Sequence, residues 1–463
     1  MLNKERAYEL FERARKFSSA DDVEVLIGGG KSALTRFANN TIHQNMADEN
    51  YDISVRVQFG GKTARASTNK FDDESLRRTV LAAERLAKVQ EEDADLLPMY
   101  APEGEPASDV VLPQRRFAET AAIGPAERAE AVGKMVDVAR RLKLNSAGVY
   151  AVNDAADGIF NSRGVARWHE QTLAEVSVTM TAENSSGWQK ANAPDVRELQ
   201  PAMLAEIAAK KAVESANPRE MAAGKYTVIL EPAAVLDLVG FAFWDFGGLA
   251  LLDQRSFLNN RFGKQVFGEN ITIRDDVYHP LQAGAAFDAE GVTRQRVELV
   301  RNGVVKDLVY ARGTAERIRK SEFAAQLGTV KPTGHGFALP NEMGEAPLNI
   351  VFELAEGVQA KSVEQMVSET ERGILVTRLW YIREVDPYEK MLTGMTRDGT
   401  FLVENGKVKG GVLNFRFNES ALHMLSNVVS FGEPVRASGE ESFDMVVPAM
   451  KVQEFNFTEV TKF

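Results

Sequence analysis

Asp237, Asp245 and Asp253 recur every eight residues inside EPAAVLDLVGFAFWDFGGLALLD, residues 231–253, the most apolar stretch of the chain. Three carboxylates on one helix would suggest a hard-cation site. A step of eight residues at about 100° each drifts by about 80°, however, so the three cannot share a face. The spacing predicts a buried helix whose Phe241, Phe243, Trp244 and Phe246 serve packing, with the aspartates capping, ion-pairing or solvated. The pair His169-Glu170 opens a zinc-protease signature, but Leu173 stands where the second histidine is required. The five histidines (His43, His169, His279, His335 and His423) are scattered, with no two at metal-ligand spacing, and cysteine is absent. Disulfides, thiolate nucleophiles and cysteine-held metals are thereby excluded. A G-x-S-x-G elbow is also missing. GGGKS (28–32) and FGGKT (59–63) lack the first glycine of a phosphate loop, with Val25 and Arg56 in its place, and read as hairpin turns between strands.

The chain that must position these groups has 463 residues, 44% hydrophobic and 26% charged, the composition of an ordinary globular protein with room for more than one core. A net charge of −11 repels phosphate backbones and anionic lipid, so neither nucleic acid nor membrane is expected as a direct partner. The N-terminus has the spacing of an amphipathic helix, and Leu238–Leu252 is interrupted by Asp245 and is shorter than the roughly 20 residues a bilayer span requires. A cytoplasmic protein is expected.

Periodicity divides the elements unequally. VEVLIGG and SALTRFANNTIHQN read as strands, and YDISVRVQFGGKTARAS as a hairpin about Gly60-Gly61. A helix capped by Asp72 and Asp73 follows, then a linker near 91–114. A second cycle starts at Pro125 with a helix, then strands at AGVYAV, GVARWHEQT and LAEVSVTMT, and a helix over 201–215, so an internal duplication is plausible. Beyond ANPREMAAGK the pattern is mainly β, with hairpins about Asn302-Gly303 and Asn405-Gly406 and further strands at LNIVFEL, ILVTRLWYI and FDMVVPAMKVQEFNF. The expectation is a two-domain α+β protein: an α+β N-terminal domain, 1–217, and a β-rich sandwich or barrel-like C-terminal domain, 218–463.

The ordered run FDAEGV (287–292), VELVRNGVVKDLVYARGTA, PTGHG (332–336) and TGMTRDGTFLVENGKV resembles the TldD/PmbA family, historically called modulators of DNA gyrase. SALTRFANNTIHQN and YDISVRV resemble its N-terminal portion, so the likeness covers nearly the whole chain. The resemblance implies a cytoplasmic proteolytic system of two related subunits. One, TldD-like, carries zinc through H-E-x-x-x-H on a helix and a cysteine near the C-terminus. The other, PmbA/TldE-like, shares the fold without that set. The helix would follow YTVIL and the cysteine would fall near 430–434, yet 231–253 contains no histidine.

The resemblance therefore implies a subunit that binds no metal itself, works with a zinc-bearing TldD-like partner, forms a homo- or heterodimer and assists proteolysis of unfolded or peptide substrates, with an extended polypeptide taken along a sheet edge. A self-sufficient hydrolase is the alternative. Its candidates are Asp288, Glu290 and His335, which lie in the most family-like segments as acid, base or ligand, against a reading as turn chemistry beside Gly291, Gly334 and Gly336. A regulator of the gyrase-modulator type is a third reading, poorly suited to an acidic chain without a basic stripe.

Overall fold

The computed structural model describes residues 2–103 and 111–461. The N-terminal half repeats one order of elements twice. α1 (Lys4–Phe17), β1 (Asp22–Ala38), β2 (Thr41–Phe59), β3 (Lys62–Thr68) and α2 (Asp73–Val89) form the first unit. After α3 (Ala118–Ala121), the units α4 (Pro125–Arg141), β4 (Asn145–Asn161), β5 (Ala166–Thr181), β6 (Ser186–Ala193) and α5 (Pro201–Glu214) form the second. The strands join through β1 and β4 into one antiparallel sheet, order β3-β2-β1-β4-β5-β6. Part of the expected linker, 104–110, lies outside the described residues.

Alternation decides which face is buried. Val23, Val25 and Ile27 of β1, with Ile53, Val55 and Val57 of β2, pack under α1 and α2. Phe37, Tyr150, Val152, Val176 and Val178 pack under α4 and α5 on the same side. The intervening residues Glu24, Arg56 and Arg65, paired in register across β1, β2 and β3, turn to the other face. There Arg65 Nε donates to the carbonyl of Leu339 at 2.8 Å, and Arg115 donates to the carbonyls of Val277, His279 and Pro280, so the two halves share a polar seam.

In the C-terminal half, β8 (Ile271–Asp275), β9 (Val297–Arg301), β10 (Val304–Val305), β11 (Ile350–Leu354), β17 (Val435–Ala437) and β18 (Met445–Val447) form an open sheet, order β10-β9-β8-β11-β18-β17. A second sheet runs β12-β7-β19-β15-β13-β14, from β7 (Gly224–Leu230), β12 (Arg372–Asp386), β13 (Met391–Glu404), β14 (Lys407–Gly411), β15 (Phe415–Ser420) and β19 (Met450–Val460), with β16 (Val428–Phe431) alongside β19. Because β12 also pairs with β13, this sheet closes on itself as a small barrel. The apolar stretch lies between the two sheets. Asn302-Gly303 and Asn405-Gly406 make the tight turns their type requires, every residue at positive φ.

Several expectations need correction. SALTRFANNTIHQN is two strands, because Asn39 and Asn40 both adopt positive φ and turn the chain from β1 into β2. GVARWHEQT and LAEVSVTMT belong to the single strand β5, and β6 escaped the pattern. GGGKS is no turn: it lies within β1, where a Cβ on Gly29 or Gly30 would come 2.2 Å from Asn50 O or 2.1 Å from Asp154 O. The 231–253 helix is broken into α6 (Pro232–Phe243), a 3-10 turn over Trp244–Phe246 and α7 (Gly248–Leu252). Trp244 is 45% exposed, edge-on to Phe443, so it does not join the packing of Phe243 and Phe246.

Phe246, fully buried, meets the rings of both Phe243 and Phe257 at 5.9 Å. Phe246→Ala is expected to cost about 3–5 kcal/mol, read as a lower urea midpoint for the C-terminal half.

Candidate functional site

The family-like segments converge on one buried acidic junction. FDAEGV makes a tight turn in which Asp288 Oδ1 accepts the N–H groups of Glu290 (2.9 Å) and Val292 (3.0 Å), while Oδ2 accepts that of Gly336 at 2.8 Å. Glu290 reaches the start of α8 (Arg312–Arg319), where its Oε1 accepts Arg312 N at 3.2 Å and its Oε2 lies 3.5 Å from the guanidinium. Glu345 completes the arrangement: Oε1 accepts Leu249 N in α7, and Oε2 accepts Ala311 N and the Thr314 hydroxyl. Glu290 and Glu345 occupy the electropositive first turns of two helices, where unpaired N–H groups require an acceptor. A side chain at Gly336 would lie 2.6 Å from Glu290 Oε1 and 3.2 Å from Asp288 Oδ2, so glycine is what lets both acids approach the same backbone.

His335 points the other way. Its Nε2 meets Asp275 Oδ1 at 2.9 Å and its Nδ1 meets Thr333 Oγ1 at 3.0 Å, while Asp275 Oδ2 accepts Asn349 N. Acid, imidazole and hydroxyl are spaced like a nucleophile relay. Yet the His335 and Asp275 side chains have no exposed surface, and the Thr333 oxygen is engaged by the backbone of Tyr310. No substrate reaches that hydroxyl, and the group ties the end of β8 to the PTGHG loop. Of the three predicted residues, Glu290 lines a cleft of about 160 Å³ shared with Leu249, Arg312, Thr314, Phe337 and Asn341. Sequence reading missed Asp275 and Glu345. Neither segment, TIRDD or MGEAP, carries a motif, and each residue acquires its role only from chain far away.

Burial governs the charges here. It pushes Asp288 up, reinforced by the neighbouring Glu290 charge, and pushes Glu290 up against the pull of Arg312. Glu345 is pushed up to about 7 by burial. Burial also acts against the Asp275 charge, but the adjoining His335 imidazole outweighs it and holds that carboxyl below its ordinary value.

The aspartates of the apolar stretch serve three separate purposes. Asp237 is fully buried beneath the 439–441 backbone; Oδ1 accepts Glu441 N at 3.0 Å, Oδ2 has no hydrogen-bond partner among the described residues, and burial pushes the group up to about 7. Asp245 binds Lys390 Nζ at 2.9 Å and caps Phe257 N. Asp253 pairs with Arg255 at the surface. These donors diverge, as the eight-residue step requires, and do not fit a shared metal ion. His169 bonds Gln171, His279 accepts Leu281 N and His423 pairs with Glu419. Among the described residues no group of three His, Cys, Asp or Glu is arranged to hold a metal.

Comparison with known proteins bears on this geometry. A model of the PmbA/TldA metallopeptidase C-terminal domain matches residues 223–459, one of metallopeptidase domain 1 matches 23–87, and one of the central domain matches 118–216. Metalloprotease PmbA of Escherichia coli O157:H7 is 24% identical over 460 residues, covering 95% of this chain and 94% of that protein. The metalloprotease PmbA homolog of Haemophilus influenzae is 22% identical over 415 residues, covering 86% and 85%. The structure of TldE from Thermococcus kodakarensis matches with a TM-score of 0.83 at 19% identity, covering 98% of this chain and 99% of that one, and so shares its fold.

Two stability measurements follow from the burial. His335→Ala removes the imidazole partner of the buried Asp275 and is expected to cost about 3–5 kcal/mol in denaturant titration. Asp237 and Glu345 have folded values raised above the unfolded ones, so their contribution is complete below the ordinary carboxylate range and is lost as pH rises towards about 7. Asp237→Asn is expected to flatten that decline between pH 4.5 and 7.5, leaving the part due to Glu345, Asp288 and Glu290; an unchanged pH profile would contradict the assignment.

Proposed function

The chain belongs to the PmbA/TldD metallopeptidase family, and within it we propose that it is the PmbA/TldE-type subunit, a non-catalytic partner that supports proteolysis by a zinc-bearing TldD-like chain. The observation that carries this reading is the fate of the apolar stretch. Where the family resemblance calls for a zinc helix, Val235, Leu236, Leu238, Val239, Ala242 and Phe243 are packed into the core. Hydrocarbon and phenyl groups offer no lone pair to a metal and no base to a water molecule. The three carboxylates on the same stretch are committed to a buried backbone contact, a lysine and the surface. Segment 430–434, where the cysteine ligand is expected, reads SFGEP.

In this reading zinc resides in the partner, and this chain supplies shape and substrate-binding surface as one half of a heterodimer in the cytoplasm. No helix among the described residues is long and apolar enough to cross a membrane. The substrates are unfolded or extended polypeptides, which a sheet edge accepts through main-chain hydrogen bonds without regard to sequence. The self-sufficient hydrolase is less well supported. Asp288, Glu290 and His335 each have their polar atoms engaged by backbone or neighbouring side chains, and the relay-like group of Asp275, His335 and Thr333 is closed to substrate.

Co-expression with a TldD-like subunit from the same organism tests the proposal. A stable complex is expected, with chelator-sensitive cleavage of an unfolded polypeptide greater than that subunit achieves alone and with zinc, by elemental analysis of the separated chains, residing in the partner. Absence of a complex, full cleavage by the TldD-like subunit alone, or stoichiometric zinc in this chain with cleavage by it in isolation would defeat the reading.

A further inference from the structure

β2 runs from Thr41 to Phe59, but β3 pairs only with Ile53–Phe59. β1 lines the other edge along the whole length, from Asp22 opposite Gln58 to Ala38 opposite Thr41. Residues 41–52 therefore have one bonded edge and one edge without a strand neighbour among the described residues. At about 3.4 Å per residue this open stretch accommodates a peptide of roughly ten residues. Natural sheets blunt such edges with proline, lysine or bulges. Thr41–Asp52 contains no proline, lysine or arginine, and its one bulge falls near its start, at His43 between Ile42 and Gln44, so the register with β1 is unbroken from Gln44 onward.

A cleft opens beside this edge. Ala33 lies opposite Ala47 on one side and Val152 on the other, so three small or short side chains share one face of β2, β1 and β4. It is the helix-bearing face, because the next same-face pair, Thr35 and Asn45, is hydrogen-bonded by Arg128 of α4. α1 and α2 cover one side of the sheet's midline and α4 and α5 the other. Beside the start of α4 lies a cavity of about 660 Å³, floored by these residues and walled by Gly124, Pro125 and Arg128. Lys31, Asp48, Glu49 and Asp154 line it as well.

We propose that the open edge of β2, Thr41–Asp52, docks an extended polypeptide of basic character as an added strand, with the adjoining cleft receiving its side chains. Main-chain pairing supplies sequence-tolerant affinity and the small-residue trough gives side chains somewhere to lie. The charge selects the occupant. Asp48 and Asp52 lie on the stretch, which carries no lysine or arginine of its own, while Lys31 of β1 stands opposite Glu49. A second copy would bring the same acids to the pairing, whereas a lysine-rich or arginine-rich strand is complementary. The assignment rests on the reading of the chain as a subunit that handles extended polypeptides and names the edge that does so.

The test uses the isolated full chain and a fluorescein-labelled ten-residue peptide alternating lysine and valine, followed by anisotropy at low salt. Saturable binding is expected. It should weaken at least tenfold for the surface variant Asp48→Lys, for a glutamate-valine peptide, and for the lysine peptide N-methylated at alternate amides, the last without any change in the protein. Since the chain has no cysteine, His43→Cys places a single thiol on the edge, and a bromoacetylated lysine peptide should label it faster than it labels a cysteine placed at the solvent-facing Glu130. No saturable binding, or binding indifferent to N-methylation, would overturn the proposal. So would efficient His43→Cys disulfide dimers, which would assign the edge to a second copy. A null result here alongside an active co-expressed pair would reject the edge assignment alone and leave the subunit reading standing.

Discussion

Backbone N–H groups at the starts of α7 and α8 have to find acceptors inside the protein, and that need organises the centre of the molecule. Glu290 and Glu345 answer it from distant segments, and Asp288 does the same for its own turn and for Gly336. A buried carboxylate that accepts two or three backbone hydrogen bonds holds the segments it joins firmly, because losing one partner strands a charge away from water. The conspicuous motifs FDAEGV and PTGHG are thus the two sides of one joint. Arg65 and Glu24 extend it into the N-terminal sheet, through the carbonyl of Leu339 and the buried 2.6 Å ion pair between them.

The joint also explains why these chemistry-bearing residues are gathered in one place. Catalytic groups require a route for substrate and capacity left over after structural bonds are made. At this junction Asp288 and His335 are enclosed, and Glu290, although it borders a cleft, already has its oxygens engaged by Arg312. The same holds for α6 and α7, whose side chains join the core shared by the closed barrel and the open sheet. A metal site in that place would need donors converging from a helix that here contributes packing, and the break at Trp244–Phe246 turns Asp245 aside to Lys390.

The N-terminal half has the opposite character. Two units of the same order share one sheet, and their helices cover one face of it. The glycines at 28–30 let β1 run between β2 and β4 where any side chain at Gly29 or Gly30 would strike a neighbouring carbonyl. A close-paired central strand with an uncovered outer neighbour suits a surface that receives chains from outside.

Local patterning by itself determined the family resemblance, the α+β class, most helices and the Asn-Gly hairpins, because caps, turn residues and apolar periodicity act over a few residues. The eight-residue spacing of Asp237, Asp245 and Asp253 likewise sufficed to separate them on a helix. Tertiary structure alone decided the rest. That GGGKS runs straight through a strand depends on the approach of Asn50 and Asp154, and that Asp275 and Glu345 belong with His335 and Glu290 depends on contacts spanning 60 or more residues for the first pair and on two helix starts for the second. Such pairings follow from long-range packing, which brings together groups whose separation along the chain carries no periodic signal, and so it is there that motif and role part company.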